Sequence, residues 1–370
     1  MEALLCEKGK HFYYVDELFM RKQLKYSLLI PVLIWISSNT VFAQDPIFSQ
    51  FYSSPLSINP ALAGNGDANW RIIGNRRSQW IGDGLEPLTT TSLSFDGKLF
   101  KQPDKETNYI GGGLLFLQDK GLSGAYKSNS FNFIASSHVS LDEDDNHGLS
   151  IGLGGSFSNT LIDYSQLSFP QQLSYSGFNR TLPTNEPFLS NVPSYFSMSA
   201  GINYSFSNES SSFDFGAAGY RFLKTKRSAL NDPNQLDPPR YNIHADYQTF
   251  LSDRIVFNTN ALYAFESSQQ SYTVGVNFGR IIGDPAELPT IINAGLWYRS
   301  NEAVIPYLGL VYSNLQFGFT YDVPVSESKS SLGTLKTYEF SLIFRSPTPE
   351  NLFTGNGARN CFSMPGCTKR

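Results

Sequence analysis

The stretch YFSMSAGINYSFS, Tyr195 to Ser207, decides the fold class, because apolar and polar residues alternate along it without a break. Phe196, Met198 and Ile202 share one face with other apolar residues, whereas Ser197 and Asn203 share the opposite face with other small or polar residues. A period of two is typical of a strand, whose successive side chains point to opposite faces of a sheet. The polar face carries Ser, Asn and Gly instead of Lys and Glu, which favours the polar lumen of a membrane barrel over a solvated surface.

The same alternation recurs along the chain in LQFGFTYDV, from Leu315, and in YNIHADYQ, from Tyr241. About fourteen such segments can be counted, and their centres lie near Ile73, Leu93, Leu114, Phe133, Gly152, Ala200, Phe215, Ala245, Thr259, Val274, Ala294, Gly309, Phe317 and Phe340. An even count returns the chain to its starting side, as bacterial single-chain barrels require. We therefore predict an all-β fold, a transmembrane antiparallel β-barrel of about 14 strands over residues 69–345. The polar residues that we expect to face its lumen include His138, His244, Asp246 and Asp322.

Connection lengths support a barrel with two different ends. The three longest connections, Asn159 to Pro193, Lys224 to Arg240 and Pro324 to Lys336, all fall at one end of the predicted barrel. The tightest turns, Ser252-Asp253 and Ser313-Asn314, both fall at the other end. Long loops outside and short turns in the periplasm are typical of outer-membrane barrels.

The first 43 residues have the pattern of a secretory signal. From Met20 the chain reads MRKQLKYSLLIPVLIWISSNTVFA, with a basic start, a short apolar run and a small-residue cleavage signal. The apolar run is shorter than the roughly 20 residues of a spanning helix. We expect cleavage between Ala43 and Gln44, and we favour Met20 over Met1 as the true start, with a long natural leader as the alternative.

Composition excludes some functions. The net charge of −4 argues against a nucleic-acid-binding protein, which would carry a basic surface. The 29 Phe and 20 Tyr, against only 4 Trp, are typical of β structure. Cys361 and Cys367 lie in a predicted periplasmic tail, residues 346–370, where an oxidising compartment favours a small disulfide. A metal site is the less favoured reading of these cysteines, because no His or carboxylate flanks them.

The stretch QDPIFSQFYSSPLSINPALAGN, residues 44–65, fits neither a linker, a long helix nor a strand, because it is rich in aromatic residues and contains three prolines. It precedes the first strand, so residues 44–68 should form a plug in the lumen or a clamp at the periplasmic mouth. We expect turns at Asp45-Pro46 and Asn59-Pro60 and one short helical turn between Phe48 and Tyr52. The residues assigned to this motif are Asp45, Pro46, Phe48, Ser49, Gln50, Phe51, Tyr52, Asn59, Pro60 and Gly64.

These residues also carry a family resemblance. The run DPIFSQFYSSPLSINPALAG resembles the opening of the PorP/SprF family, outer-membrane barrels of the type IX secretion system in Bacteroidota. The resemblance continues through Arg71 to Trp80, LLFLQDK, IDYSQLSFPQQ, RYNIH, GLWYRSNEAVIPYLGL and GFTYD, so it covers essentially the whole mature chain. Arg76 departs from it, since it stands where the family usually has Tyr, and the tail after Arg345 is long.

The resemblance implies an outer-membrane accessory component of type IX secretion, with translocon components and one large exported adhesin or gliding protein as partners. We expect the loops Asn159 to Pro193 and Lys224 to Arg240 to contact the exported partner, because they are long and the first carries Phe169, Tyr175, Phe178 and Phe188. A barrel alone would equally permit a diffusion channel or a transporter of hydrophobic compounds.

A barrel enzyme such as a lipid hydrolase is disfavoured, because no catalytic constellation appears at fixed spacing. His138 and His244 are interpreted as lumen histidines, and DEDDN, from Asp142, as a solvated turn, since no downstream Glu completes a calcium loop. The glycine runs at Gly111 to Gly113 and Gly152 to Gly155 are interpreted as bends of the barrel wall. We therefore expect neither catalysis nor a cofactor nor a bound metal.

Overall fold

The computed structural model describes residues 47–82, 86–102, 108–185, 192–208, 210–223, 238–267, 269–282, 290–325 and 335–346. Four predictions concern residues outside these ranges. They are the cleavage site at Ala43 and Gln44, the Asp45-Pro46 turn, the Cys361 to Cys367 disulfide, and most of the loop Lys224 to Arg240 with Phe188 of the preceding loop.

Fourteen antiparallel strands close into one barrel, in which each strand pairs with its neighbours along the chain and the first strand pairs with the last. The chain contains β1 (Trp70–Ile81), β2 (Leu88–Lys101), β3 (Tyr109–Gly121), β4 (Tyr126–Ser140), β5 (His147–Ile162), β6 (Leu173–Ser174), β7 (Gly177–Phe178), β8 (Val192–Ser207), β9 (Ser211–Tyr220), β10 (Arg240–Ser252), β11 (Ile255–Glu266), β12 (Gln269–Ile282), β13 (Thr290–Arg299), β14 (Ala303–Tyr312), β15 (Leu315–Pro324) and β16 (Lys336–Arg345). The short strands β6 and β7 form a separate hairpin between β5 and β8. The predicted barrel and its strand count are confirmed.

Burial alternates along the barrel strands as the sequence pattern indicates. In β12, Tyr272, Val274 and Phe278 are exposed, whereas Thr273 and Asn277 between them are buried. Buried polar residues on this scale have no place in the interior of a soluble sandwich. They are accommodated here because they face the enclosed lumen, while the apolar side chains cover the outer surface of the barrel.

The barrel has a short-turn end and a long-loop end. Turns at Asp253–Arg254 and Ser313–Asn314 lie at the short-turn end, where β1 also begins, and the first is shifted by one residue from the sequence prediction. The connections 163–191, 221–239 and 325–335 lie at the long-loop end. In barrels of this kind the short turns face the periplasm.

Three short helical elements precede β1. They are a 3-10 turn at Phe51–Ser53, the helix α1 at Pro55–Ile58 and a second 3-10 turn at Pro60–Leu62. The single turn expected between Phe48 and Tyr52 is therefore wrong in its extent, because Pro55 and Pro60 each occupy the first position of a further helical element, where the missing N–H has no cost.

Three other 3-10 turns lie in connections, at Leu122–Gly124, Tyr164–Gln166 and Pro170–Gln172. Among the described residues, no helix is both long and apolar enough to cross a membrane.

The outward orientation of mid-strand apolar residues predicts a depth-dependent cost of charge. Leu153 is exposed in the middle of β5, and Leu161 is exposed near its long-loop end. We expect Leu153→Arg to lower the free energy of unfolding by about 2–4 kcal/mol and Leu161→Arg by at most about 1 kcal/mol. Urea unfolding in lipid vesicles measures both. Equal costs for the two variants would contradict the assignment of this face to lipid.

Candidate functional site

The N-terminal segment, residues 47–68, lies inside the ring of strands. It contacts β1 and β16 on one part of the wall, β13 to β15 on the next, and β2 to β5 and β8 to β10 further round. Eight of its apolar residues are at most 6% exposed, namely Phe48, Phe51, Tyr52, Leu56, Ile58, Ala61, Leu62 and Ala63. A segment of this composition is held still because its apolar surface is removed from water on every side.

Two apolar clusters hold the segment to separate parts of the wall. The Tyr52 ring stacks on Trp297 with 5.0 Å between ring centroids and meets Tyr307 edge-on at 5.8 Å. Leu56 packs with Leu115 and Ile134, which belong to β3 and β4. Aromatic pairs of this kind contribute about 0.5–1.5 kcal/mol beyond their burial.

A charged cluster binds the start of the segment. The Glu339 carboxylate accepts hydrogen bonds from the backbone N–H groups of Ser49, at 2.7 Å, and Gln50, at 3.0 Å. The Gln50 side chain donates to the Glu339 carbonyl oxygen and accepts from the Ser341 hydroxyl at 2.7 Å. Ser49 donates its hydroxyl proton to Asp322 at 2.8 Å.

Two guanidinium groups balance the charge of these carboxylates. Arg77 and Arg299 each lie 3.2 Å from the same Asp322 oxygen, and Arg299 also donates to the Ser49 hydroxyl at 3.0 Å. Arg77 in addition donates to the Ile47 carbonyl. Buried charges are stable only when they are paired and hydrogen-bonded, and here residues of the segment complete the pairing.

The end of the segment has a second ionic anchor. Arg71 forms an ion pair with Asp96 at 2.8 Å and donates to the Leu62 carbonyl at 3.0 Å. The same Asp96 carboxylate accepts the backbone N–H of Gly64 at 2.7 Å. Gly64 has a φ of +70°, a conformation that favours glycine.

Asn59 connects the segment to β8 and β10. Its side-chain oxygen accepts the Ala61 N–H at 2.9 Å, so its amide nitrogen must be the group that donates to the Ile202 carbonyl and to His244 Nε2, at 3.1 Å. His244 Nε2 therefore accepts, which leaves Nδ1–H to donate to Asp246 at 3.3 Å. These hydrogen bonds fix the orientation of the Asn59 side-chain amide. They involve no Ser, Cys or Thr side chain that could act as a nucleophile.

His138 holds the segment from β4. Its Nε2 contacts the Ala63 carbonyl at 2.8 Å, and its Nδ1 lies 2.7 Å from the Ser150 hydroxyl. Because a carbonyl can only accept, Nε2 carries the proton. Ser136 also donates to the Ala63 carbonyl, at 2.7 Å. Both serines beside His138 are buried. His138 and Ser136 therefore hold the segment in place by binding the Ala63 carbonyl.

Wall glycines make room for the segment. A Cβ at Gly152 would overlap the Pro60–Ala61 peptide, one at Gly201 would overlap the Asn59 side chain, and one at Gly111 would overlap the Ala63 carbonyl. The interpretation of Gly111 and Gly152 as bends of the wall missed this role. The sequence shows that these glycines lie within strands, but it does not show which residues of the segment pack against them.

Other charged contacts were also absent from the sequence prediction. Arg77, Arg299 and Glu339 contact the segment, although only Asp322 of this cluster was singled out. The signal existed for Glu339, because KTYEFSLIF places it on the polar face of an alternating strand.

The long loop after β5 is exposed and carries aromatic residues. Its hairpin of β6 and β7 presents Tyr175, fully exposed, and Phe178, 57% exposed. At the start of the loop, hydrogen bonds from the Ser165 hydroxyl and the Gln166 amide hold the pKa of Asp163 below its usual range. The loop thus has local order at its base and apolar groups at its tip.

Acidic groups elsewhere have a structural explanation. The Asp142 carboxylate accepts the backbone N–H groups of Asn146 and His147, which closes the turn between β4 and β5. Within the described ranges, no three His, Cys, Asp or Glu side chains are grouped to hold a metal ion.

The contact at Gly152 generates a stability prediction. Gly152→Ala should lower the free energy of unfolding by about 1–3 kcal/mol, because the added methyl group displaces the Pro60–Ala61 peptide. Gly74→Ala is the matched control, since a Cβ there meets nothing within 4 Å and should change stability by at most about 0.5 kcal/mol. Chemical unfolding in detergent measures both, and a neutral Gly152→Ala would contradict the close packing of the segment.

Solved structures with a similar arrangement of strands are bacterial barrels. The toluene transporter TbuX of Ralstonia pickettii is 9% identical, with a TM-score of 0.48 over 80% of this chain and 94% of that chain. The monoaromatic hydrocarbon channel CymD is 8% identical, with a TM-score of 0.45 over 83% of this chain and 95% of that chain. A FadL homologue of Pseudomonas aeruginosa is 9% identical, with a TM-score of 0.41 over 74% of this chain and 88% of that chain. Likenesses at this level carry no functional argument.

A family model gives a more specific result. No curated protein matches the chain. The model described as type IX secretion system membrane protein PorP/SprF matches residues 40–344, which include the N-terminal segment and nearly all of the barrel. The chain therefore belongs to the PorP/SprF family of type IX secretion system membrane proteins.

Proposed function

We propose that this outer-membrane barrel is an accessory component of type IX secretion that assists the export or surface attachment of one large adhesin or gliding protein. Family membership supports a role in type IX secretion, and the barrel fold supports a location in the outer membrane. The observation that supports the proposal further is the position of the N-terminal segment, because its aromatic residues are buried inside the barrel, where a diffusion channel would need an open path.

The partner in this proposal binds at the long-loop end. Tyr175 and Phe178 expose large apolar surface on a hairpin whose neighbouring connections share that end of the barrel. Exposed aromatic residues on ordered loops are typical of protein contacts. The translocon and the exported protein are the partners that the family description supports, and their contacts require no catalytic group on this chain.

The rival function is a diffusion channel or a transporter of hydrophobic compounds. It requires a continuous path through the barrel, whereas the proposal treats residues 47–68 as a plug. Ion conductance in planar bilayers separates the two functions, because a polar lumen conducts once it is wetted.

The triple variant Phe48→Ala, Phe51→Ala and Tyr52→Ala tests the plug. Removal of three rings from the lumen should create a water path, so we expect steady ion conductance where the parent protein has none. The matched control replaces three exposed, lipid-facing rings, Phe133, Phe157 and Phe196, by Ala and should stay closed. A conducting parent, or a triple variant that is folded and closed, would contradict the role as a plug.

A second test addresses the loop. The double variant Tyr175→Ser and Phe178→Ser should reduce the exported protein retained at the cell surface about tenfold, since two exposed aromatic anchors typically dominate such contacts. Surface proteomics measures retention. Leu141→Ser, at an exposed position of the short-turn end, is the control and should leave retention unchanged. Unchanged retention in the double variant, with normal barrel assembly, would exclude this hairpin as the docking surface.

A further inference from the structure

An arginine lies on the lipid-facing wall. Arg76 is exposed near the middle of β1, opposite Thr91 of β2 and Phe340 of β16. Its guanidinium forms no hydrogen bond or ion pair with any residue in the described part of the chain. A cation at such a position costs up to about 2–4 kcal/mol in a barrel wall unless it reaches an anion or the headgroup region.

A groove adjoins Arg76 on the same wall. Its volume is about 720 Å³, and it runs over Gly74 from β2 across β1 and β16 to β14. Arg76 itself lines the groove, and most of the larger side chains around it are apolar, including Leu93, Leu308, Leu310, Phe317 and Leu342. Gly74 forms part of the floor, and a Cβ built there would meet nothing within 4 Å. The volume is in the range of sites for small molecules, about 300–1,000 Å³.

The two features together select one kind of ligand. The groove offers an apolar surface that crosses five neighbouring strands and suits an acyl chain, and Arg76 offers a planar set of donors that suits a phosphate. Lys336 is exposed on the same face at the long-loop end of β16, where it pairs with Ile81. A long basic side chain at that end of the wall extends towards the headgroup region of the membrane.

We propose that the groove over Gly74 binds a phosphate-bearing lipid of the outer membrane, with its acyl chain against the apolar wall and its phosphate on Arg76. A bound phosphate offsets the cost of the guanidinium, and the acyl chain covers the apolar groove between β2 and β14. The site lies outside the lumen and is independent of the plug and of the exposed hairpin.

The test uses the purified full-length mature protein in detergent and native mass spectrometry. The probes are phosphatidylglycerol and a diacylglycerol with the same acyl chains, so that only the phosphate headgroup differs. We expect the parent to bind the phospholipid about tenfold more tightly than the diacylglycerol, the size of one charge-assisted contact. R76Q should abolish this preference, and G74L, which fills the groove, should weaken the binding of both lipids.

Arg280→Gln is the matched control, because Arg280 is exposed on the same lipid-facing side of β12 and does not line the groove. It should retain the full preference. A preference that survives R76Q, or that R280Q abolishes equally, would overturn the proposal. Displacement of the bound phospholipid by inorganic phosphate at similar concentration would overturn it too, since it would show a free-phosphate site. Heat-modifiable gel migration confirms that each variant is folded.

Discussion

Closure of the sheet is the constraint on which the remaining structure depends. In hydrocarbon an unpaired backbone N–H or C=O costs several kcal/mol, so a sheet that spans a membrane cannot keep a free edge. Here β1 and β16 pair from Arg71↔Arg345 to Ser78↔Tyr338 before the register shifts. Once the first and last strands pair, one face of the sheet encloses a lumen. Polar side chains on this inner face then need hydrogen-bonding partners within the lumen.

The lumen of this barrel is filled largely by the chain itself. Arg77, Arg299, Asp322 and Glu339 would be costly neighbours in an empty, narrow interior. The N-terminal segment supplies backbone N–H groups to Glu339, a hydroxyl to Asp322 and a carbonyl to Arg77, so wall and segment satisfy each other's hydrogen-bonding groups. The wall glycines Gly111, Gly152 and Gly201 contribute to the same packing, because the absence of a side chain lets the segment lie directly against the sheet.

The barrel could be predicted from the sequence because its signal is local. A period of two is read from each strand separately, and all fourteen predicted centres lie within the strands observed. The partners of the segment could not be read in this way. Ser49 and Glu339 are 290 positions apart, and nothing near either residue reports the other. The helical turns were misjudged for a related reason, since Pro55 and Pro60 mark helix starts as readily as they end a helix.

The direction in which the segment runs has a consequence for the order of folding. Ile47 and Ser49 lie beside Arg77, Arg299 and the turn that contains Glu302, at the long-loop end, whereas Gly64 lies beside Asp96, towards the end where β1 begins. The start of the segment therefore lies at the opposite end of the barrel from the residue where the first strand begins. Threading it through a finished ring would carry its buried aromatic rings along the wall that now encloses them, whereas wrapping the sheet around it requires only that β1 and β16 pair last. We therefore expect the contacts inside the barrel to form before β1 and β16 pair during biogenesis.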